Sequence, residues 1–165
     1  MNPESLIRST FEKVTYFEAS CLPGIKLCLD APDILEDESD IEEFINALSS
    51  FLKLSEDDIK VAAPHIFAEF KEYEDSVDPT YFDVKVSDQD QVLSEIEFID
   101  VNVVRRPYGN KLVYVQLAGE CSWDEEHGIQ LIFKEGCTLT RVSEQDGHYA
   151  HCDAWGLPES EDKIR

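Results

Sequence analysis

The stretch EFIDVNVVRRPYGNKLVYVQLA, residues 97–118, holds two β-patterned runs, 97–105 and 111–118, on either side of RPYGN, whose Pro107 and Gly109 suit a hairpin loop. Val113, Val115 and Leu117 fall on one strand face, as a two-residue period requires. The pattern repeats downstream. IQLIFK (129–134) and TLTRVS (138–143) flank EGC, where Gly136 fits the turn, and Ile129, Leu131 and Phe133 share a face. Residues 97–144 therefore read as antiparallel strands.

Upstream, STFEKVTYFEA and GIKLCLDA are β-rich and joined by SCLPG, which predicts an N-terminal hairpin over 10–31. Residues 39–96 read as helical. Ser39 and Glu42 form a capping-box pattern, and Ile41, Phe44, Ile45, Leu48, Phe51 and Leu52 recur at helical spacing. Ser55 with Asp58 repeats the signal ahead of a stripe from Ile59 to Phe70. Pro64 interrupts that stripe, and an interior proline costs about 3 kcal/mol, so a kink or a break into two short helices is expected there. Ser87 and Asp90 open a third helix reaching Ile96, and residues 149–165 form a tail. The sum is a single α+β domain over 1–165, with a mostly antiparallel sheet and helices from the middle of the chain packed on one face.

The chain has 165 residues, of which 42% are hydrophobic, which suits one core. The start, MNPESLIRSTFEK, lacks the basic and apolar regions of a secretory signal, and no run approaches the roughly 18 apolar residues of a membrane span. A cytoplasmic protein is expected. Five cysteines without a CxxC pair fit a reducing compartment.

Charge narrows the partners. Thirty-six acidic residues against fourteen basic ones give a formal charge of -22, a field that repels nucleic acid and anionic membrane and attracts basic proteins. Residues 33–78 carry fifteen carboxylates against Lys53, Lys60 and Lys71. That region is either a solvated helical face or a surface for a basic partner. On the second reading its contact residues are Glu36, Asp37, Glu38, Asp40, Glu42, Glu43, Glu56, Asp57 and Asp58.

WDEEHG (123–128) is the densest chemical cluster. Pairing 129–134 with 138–143 brings it beside EQDGHYAHCD, so Glu125, Glu126, His127, Asp146, His148, His151 and Cys152 fall at one end of the sheet. Imidazole, thiolate and carboxylate are the usual zinc ligands, which makes His127, His148, His151 and Cys152 a candidate metal set. No second cysteine pair completes a zinc knuckle, and the Asp124–Glu126 run lacks the D-x-D-x-D-G pattern of a calcium loop. Cys121 or Cys152 with His127 or His148 would supply a thiol nucleophile and base, but no oxyanion element accompanies them. The P-loop, dinucleotide and nucleophile-elbow motifs are absent. Trp123 and Trp155 are expected to cap the core edge.

The run YVQLAGECSWDEEHGIQLIFKEGCTLTRVSEQDGH (114–148) resembles the C-terminal motif of a family of uncharacterised bacterial domains, in which a Trp, an acidic pair, His-Gly, a strand, a turn and Asp-Gly-His recur. The positions matching that motif are Trp123, Glu126, His127, Gly128, Asp146, Gly147 and His148. The resemblance implies a small cytosolic α+β domain without an assigned reaction. By size and charge such a domain is similar in kind to immunity proteins of bacterial toxin systems. The expected function is a non-enzymatic binding protein that neutralises a basic toxin or nuclease, without a cofactor. The alternative is a metal-binding domain using the His127, Asp146, His148 end.

Overall fold

A computed structural model describes residues 1–35, 41–80 and 82–165. The expected contact residues Glu36, Asp37, Glu38 and Asp40, and the Ser39 cap, lie outside the described residues.

The chain opens with α1 (Pro3–Thr10), where strand character had been expected from Ser9 onward. The Asn2 side chain accepts hydrogen bonds from the Glu4 and Ser5 N–H groups at 3.0 and 3.3 Å, and Pro3 occupies the first turn. An Asn cap followed by proline is a strong helix start, because both settle N–H groups the first turn leaves without partners. Strand β1 is consequently short, Thr15–Phe17, and pairs antiparallel with β2 (Leu27–Asp30).

Between β2 and the next strand lie α2 (Ile41–Phe51), α3 (Glu56–Lys60), α4 (Ala63–Ser76) and the short α5 (Gln89–Val92). The stripe on α2 buries Phe44, Ala47, Leu48 and Phe51. Pro64 breaks the following helical run in two and sits in the first turn of α4, where its missing N–H costs no hydrogen bond. Asp58 accepts hydrogen bonds from the Ser55 N–H and hydroxyl at 2.7 and 2.6 Å, fixing the start of α3. At α5 the cap is Asp88, one residue later than the sequence pattern suggests, and a 3-10 turn over Leu93–Glu95 carries the helical path on to Ile96.

The remaining strands are β3 (Ile96–Arg105), β4 (Val113–Cys121), β5 (Asp124–Lys134) and β6 (Thr138–Ser143). The sheet runs β1-β2-β3-β4-β5-β6. Every neighbour pair is antiparallel except β2 and β3, which are parallel in the register Leu29↔Val101. A parallel pair needs a crossover of a dozen residues or more, and the helical segment from α2 to α5 supplies it.

One cluster holds the sheet residues Val101, Val103, Val115, Leu117, Leu131, Phe133 and Val142 together with Phe44, Phe51, Ile66 and Phe70 of the helices. Phe51 meets Phe133 edge-on, with centroids 5.8 Å apart. In the β5–β6 turn, Glu135 and Gly136 both have positive φ, and a Cβ on Gly136 would lie 1.9 Å from the Ala47 carbonyl oxygen. Only glycine lets this turn seat against α2.

The opposite sheet face is buried over β4 and β5 as well. Val104, Tyr114 and Ile132 pack there with Leu112 and Tyr149. The tail continues as α6 (His151–Trp155) and returns to β6, where the Val142 N–H donates to the Ile164 carbonyl at 2.8 Å. That bond covers part of an otherwise open sheet edge. No helix among the described residues is long and apolar enough to cross a membrane.

Candidate functional site

The WDEEHG segment is strand rather than the approach to one, because β5 begins at Asp124. Only Ser122 and Trp123 separate it from β4. Trp123 is buried and meets Phe70 of α4 edge-on at 5.6 Å, as an indole capping the core edge should. Trp155 departs from the same expectation. It is 70% exposed and lies over His151 at 6.2 Å, on a helix whose buried residue is Cys152.

Gly128 adopts φ +62°, and a Cβ there would lie 2.5 Å from the Gly119 carbonyl oxygen and 2.6 Å from Gln145 Nε2. This left-handed residue kinks β5 just after His127 and lets the loop following β6 approach closely. The Gln145 N–H donates to the His127 carbonyl at 3.3 Å and Gln145 Nε2 donates to the Gly119 carbonyl at 3.0 Å. Three chain segments are thereby tied together around His127.

Asp124 is 5% exposed. It accepts from the His127 N–H at 3.2 Å, and its Oδ1 and Oδ2 lie 3.1 and 3.0 Å from His127 Nδ1. The hydrogen bond with Asp124, and then that carboxylate's charge, push the His127 imidazole above its ordinary pKa and favour the imidazolium. Glu144, exposed on the loop after β6, completes a trio with Asp124 and His127 whose ligand atoms lie within 4.8 Å of one another.

On the opposite sheet face a row of polar side chains crosses four strands. Asn102 Nδ2 donates to Gln116 Oε1 at 3.0 Å, and Gln116 Nε2 donates to Gln130 Oε1 at 2.6 Å. Gln130 Nε2 reaches Ser143 Oγ and Asp146 Oδ1, both at 3.0 Å. Arg141, 4% exposed, makes a two-pronged contact with Asp146 at 2.9 and 2.6 Å and donates to the His148 carbonyl at 2.8 Å. The QDGH half of the motif is thus a lock on β6. Asp146 also accepts from the His148 N–H at 3.0 Å, closing the Asp-Gly-His turn.

Burial alone pushes the Asp146 carboxyl up, but the hydrogen bonds from Arg141 and the His148 N–H, with the Arg141 charge, outweigh it and hold the pKa low. A depressed folded-state pKa gives stability that is present above the unfolded value and is lost as pH falls through the folded one. Asp146→Asn should therefore cost about 1–3 kcal/mol at neutral pH. Its urea midpoint should also fall less steeply than that of the parent below about pH 4. Parallel acid limbs for the two proteins would refute this account.

The other sequence-derived candidates are dispersed. His148 Nδ1 lies 3.4 Å from Asp146 Oδ2 without a hydrogen bond, and His151 faces Trp155. Cys152 Sγ accepts from Arg106 Nη2 at 3.1 Å. The four expected ligands His127, His148, His151 and Cys152 thus have four different neighbours, and the trio that does form contains only His127 of them. Burial pushes the Cys121 thiol up to about 11 and raises that of Cys152 as well, which keeps both protonated rather than nucleophilic.

Among the acidic helical residues, Glu42, Glu43, Glu56, Asp57 and Asp58 are exposed. Glu43 pairs with Arg105, Asp57 pairs with Lys60, and Asp58 serves as a cap. Glu126, an expected motif residue, is exposed beside Glu125. A cleft of about 570 Å³ opens between α4, the β5–β6 end and the tail, lined by Glu69, Trp123, Asp124, Glu144, Asp146 and Trp155 among others. Sequence reasoning passed over Glu144 and Arg141. Nothing local marks either one; both matter because β6 and its following loop fold back beside Asp124.

A six-stranded, mostly antiparallel sheet with helices, its acidic end built around a Trp-Asp-His turn, defines a small α+β domain class. The chain belongs to the family described as a domain of unknown function (DUF6985), whose model matches residues 9–149. The family match spans β1 to the Asp-Gly-His turn and leaves out α6. No curated protein and no solved structure matches the chain.

Proposed function

We propose that this protein is a non-enzymatic acidic binding protein, an immunity-type inhibitor that neutralises a basic toxin or nuclease in the cytoplasm. The observation that carries the reading is a set of exposed carboxylates at the motif end of the sheet. Glu97, Glu120, Glu125, Glu126 and Glu144 are all exposed, and no Lys or Arg forms an ion pair with them among the described residues.

Two of them, Glu97 and Glu120, stand directly opposite each other across β3 and β4. Like charges in that position destabilise a sheet. Their presence is understandable if the surface meets cations from elsewhere. The helical carboxylates Glu42, Glu43, Glu56, Asp57 and Asp58 extend the field, although three of them already have partners within the chain. Exposed at these positions, the acidic sheet end is open to a partner. Its carboxylates would occupy a site built for phosphate, and long-range attraction would speed encounter.

The test starts with capture from the native host and identification of bound proteins by mass spectrometry, followed by association kinetics with the recovered partner. The expected result is a basic partner whose on-rate drops at least about tenfold between low and high salt, with a further drop in Glu97→Lys/Glu120→Lys. An on-rate indifferent to salt and to those reversals would sink the mechanism.

A further inference from the structure

Asp124 and His127, together with Glu144 of the acidic surface, form a cluster whose chemistry goes further than attracting a basic partner. We propose that these three residues bind a divalent transition-metal ion of the zinc class, pinning the β4–β5 turn to the loop after β6. This goes beyond the binding function and does not depend on it.

The first support is geometric. Bonds from zinc to nitrogen or carboxylate oxygen are about 2.1 Å, so two ligand atoms on one ion sit about 3.0–3.4 Å apart in octahedral or tetrahedral arrangement. His127 Nδ1 lies 3.0 and 3.1 Å from the two Asp124 oxygens, already at that spacing. Glu144 offers its ligand atom within 4.8 Å of the other two, on an exposed side chain.

The second is the burial of Asp124. A carboxylate with a side-chain exposure of 7% ordinarily has a lysine or arginine partner, or a metal, to offset its lost hydration. Among the described residues no Lys or Arg pairs with Asp124; its ion-pair partner is His127, and a metal ion bound at Nδ1 would displace the imidazole proton and take over the positive charge opposite the carboxylate. The third is order. Gly128, Gln145 and the Asp124 contact with the His127 N–H hold the ligand-bearing segments together without help from an ion. One nitrogen and two carboxylate oxygens suit zinc, manganese or cobalt better than a soft ion, and leave positions for water.

The experiment uses the full chain, stripped with chelator and titrated calorimetrically with zinc at near-physiological salt. One site per chain is expected, and the cobalt-substituted protein should lack a thiolate-to-metal charge-transfer band. Glu144→Gln, at an exposed position that should not disturb folding, and His127→Ala should each weaken zinc binding at least tenfold. His148→Ala should bind like the parent. Absence of a stoichiometric site, a thiolate band, or parent-like binding by Glu144→Gln would each overturn the proposal. Loss of the salt-dependent partner on-rate leaves this result untouched, so the two readings fail separately.

Discussion

Arg106→Ala should lower the unfolding free energy by about 3–5 kcal/mol, the range for breaking a buried ion pair by removing one partner. Arg106 follows β3 directly and is 2% exposed. Its Nε and Nη2 donate to the two Asp153 oxygens at 2.6 and 2.7 Å, Nη2 also reaches Cys152 Sγ at 3.1 Å, and Nη1 lies 3.2 Å from Glu159. The hydrogen bonds with Asp153 raise the guanidinium's pKa further, so Arg106 stays charged wherever the protein is folded. The planar fork of arginine matches the carboxylate, and lysine would not replace it.

Truncation strands Asp153 in a largely buried position and frees α6 from the sheet. Urea unfolding should show a lower midpoint with little change in slope, and limited proteolysis should cut the tail first. Asp153→Asn alone should cost less, because it keeps an acceptor. The double replacement Arg106→Met/Asp153→Leu should recover much of the loss, since the penalty comes from the uncompensated charge. A loss below about 1 kcal/mol for Arg106→Ala would show that the pair is as weak as a surface bridge.

Trp123→Ala should have a comparable effect, about 3–5 kcal/mol, for the cavity left by a large aromatic side chain. The indole is 5% exposed and supports both Phe70 of α4 and the turn that presents Asp124. Trp123→Phe keeps part of the packing and should cost less. Trp155→Ala, at a residue 70% exposed, should stay within about 0.5 kcal/mol of the parent. The two indoles also report separately: iodide should quench the Trp155 emission and leave that of Trp123 largely intact. Equal losses of stability in Trp123→Ala and Trp155→Ala would contradict the burial described above.

The strands after residue 96 were legible because alternation and turn glycines agree: Val113, Val115 and Leu117 do share a buried face, and Gly136 does take the positive φ its turn needs. The α2 stripe and the break at Pro64 were legible for the same reason, a local rule with a large penalty for violation. Helix α1 was missed although Asn2 and Pro3 announce it, because the β-rich run behind them dominated the reading. Within the candidate site, the proximity of WDEEHG and QDGH followed from the hairpin alone. Which residues touch did not follow. His127 turned to Asp124, three positions away on its own strand, whereas Asp146 turned to Arg141.

By itself the sequence determined the α+β class, the strands and helices of strong period, and a strongly acidic composition. These rest on short-range periodicity and on composition, which any local stretch of chain carries. Only the tertiary structure decided the parallel β2–β3 pair, the burial of Asp124, the exposure of Trp155 and the meeting of Arg106 with Asp153. Each joins groups distant in the chain or depends on what covers them. Desolvation and hydrogen-bond geometry select such contacts only after the sheet, the helices and the tail have closed on one another.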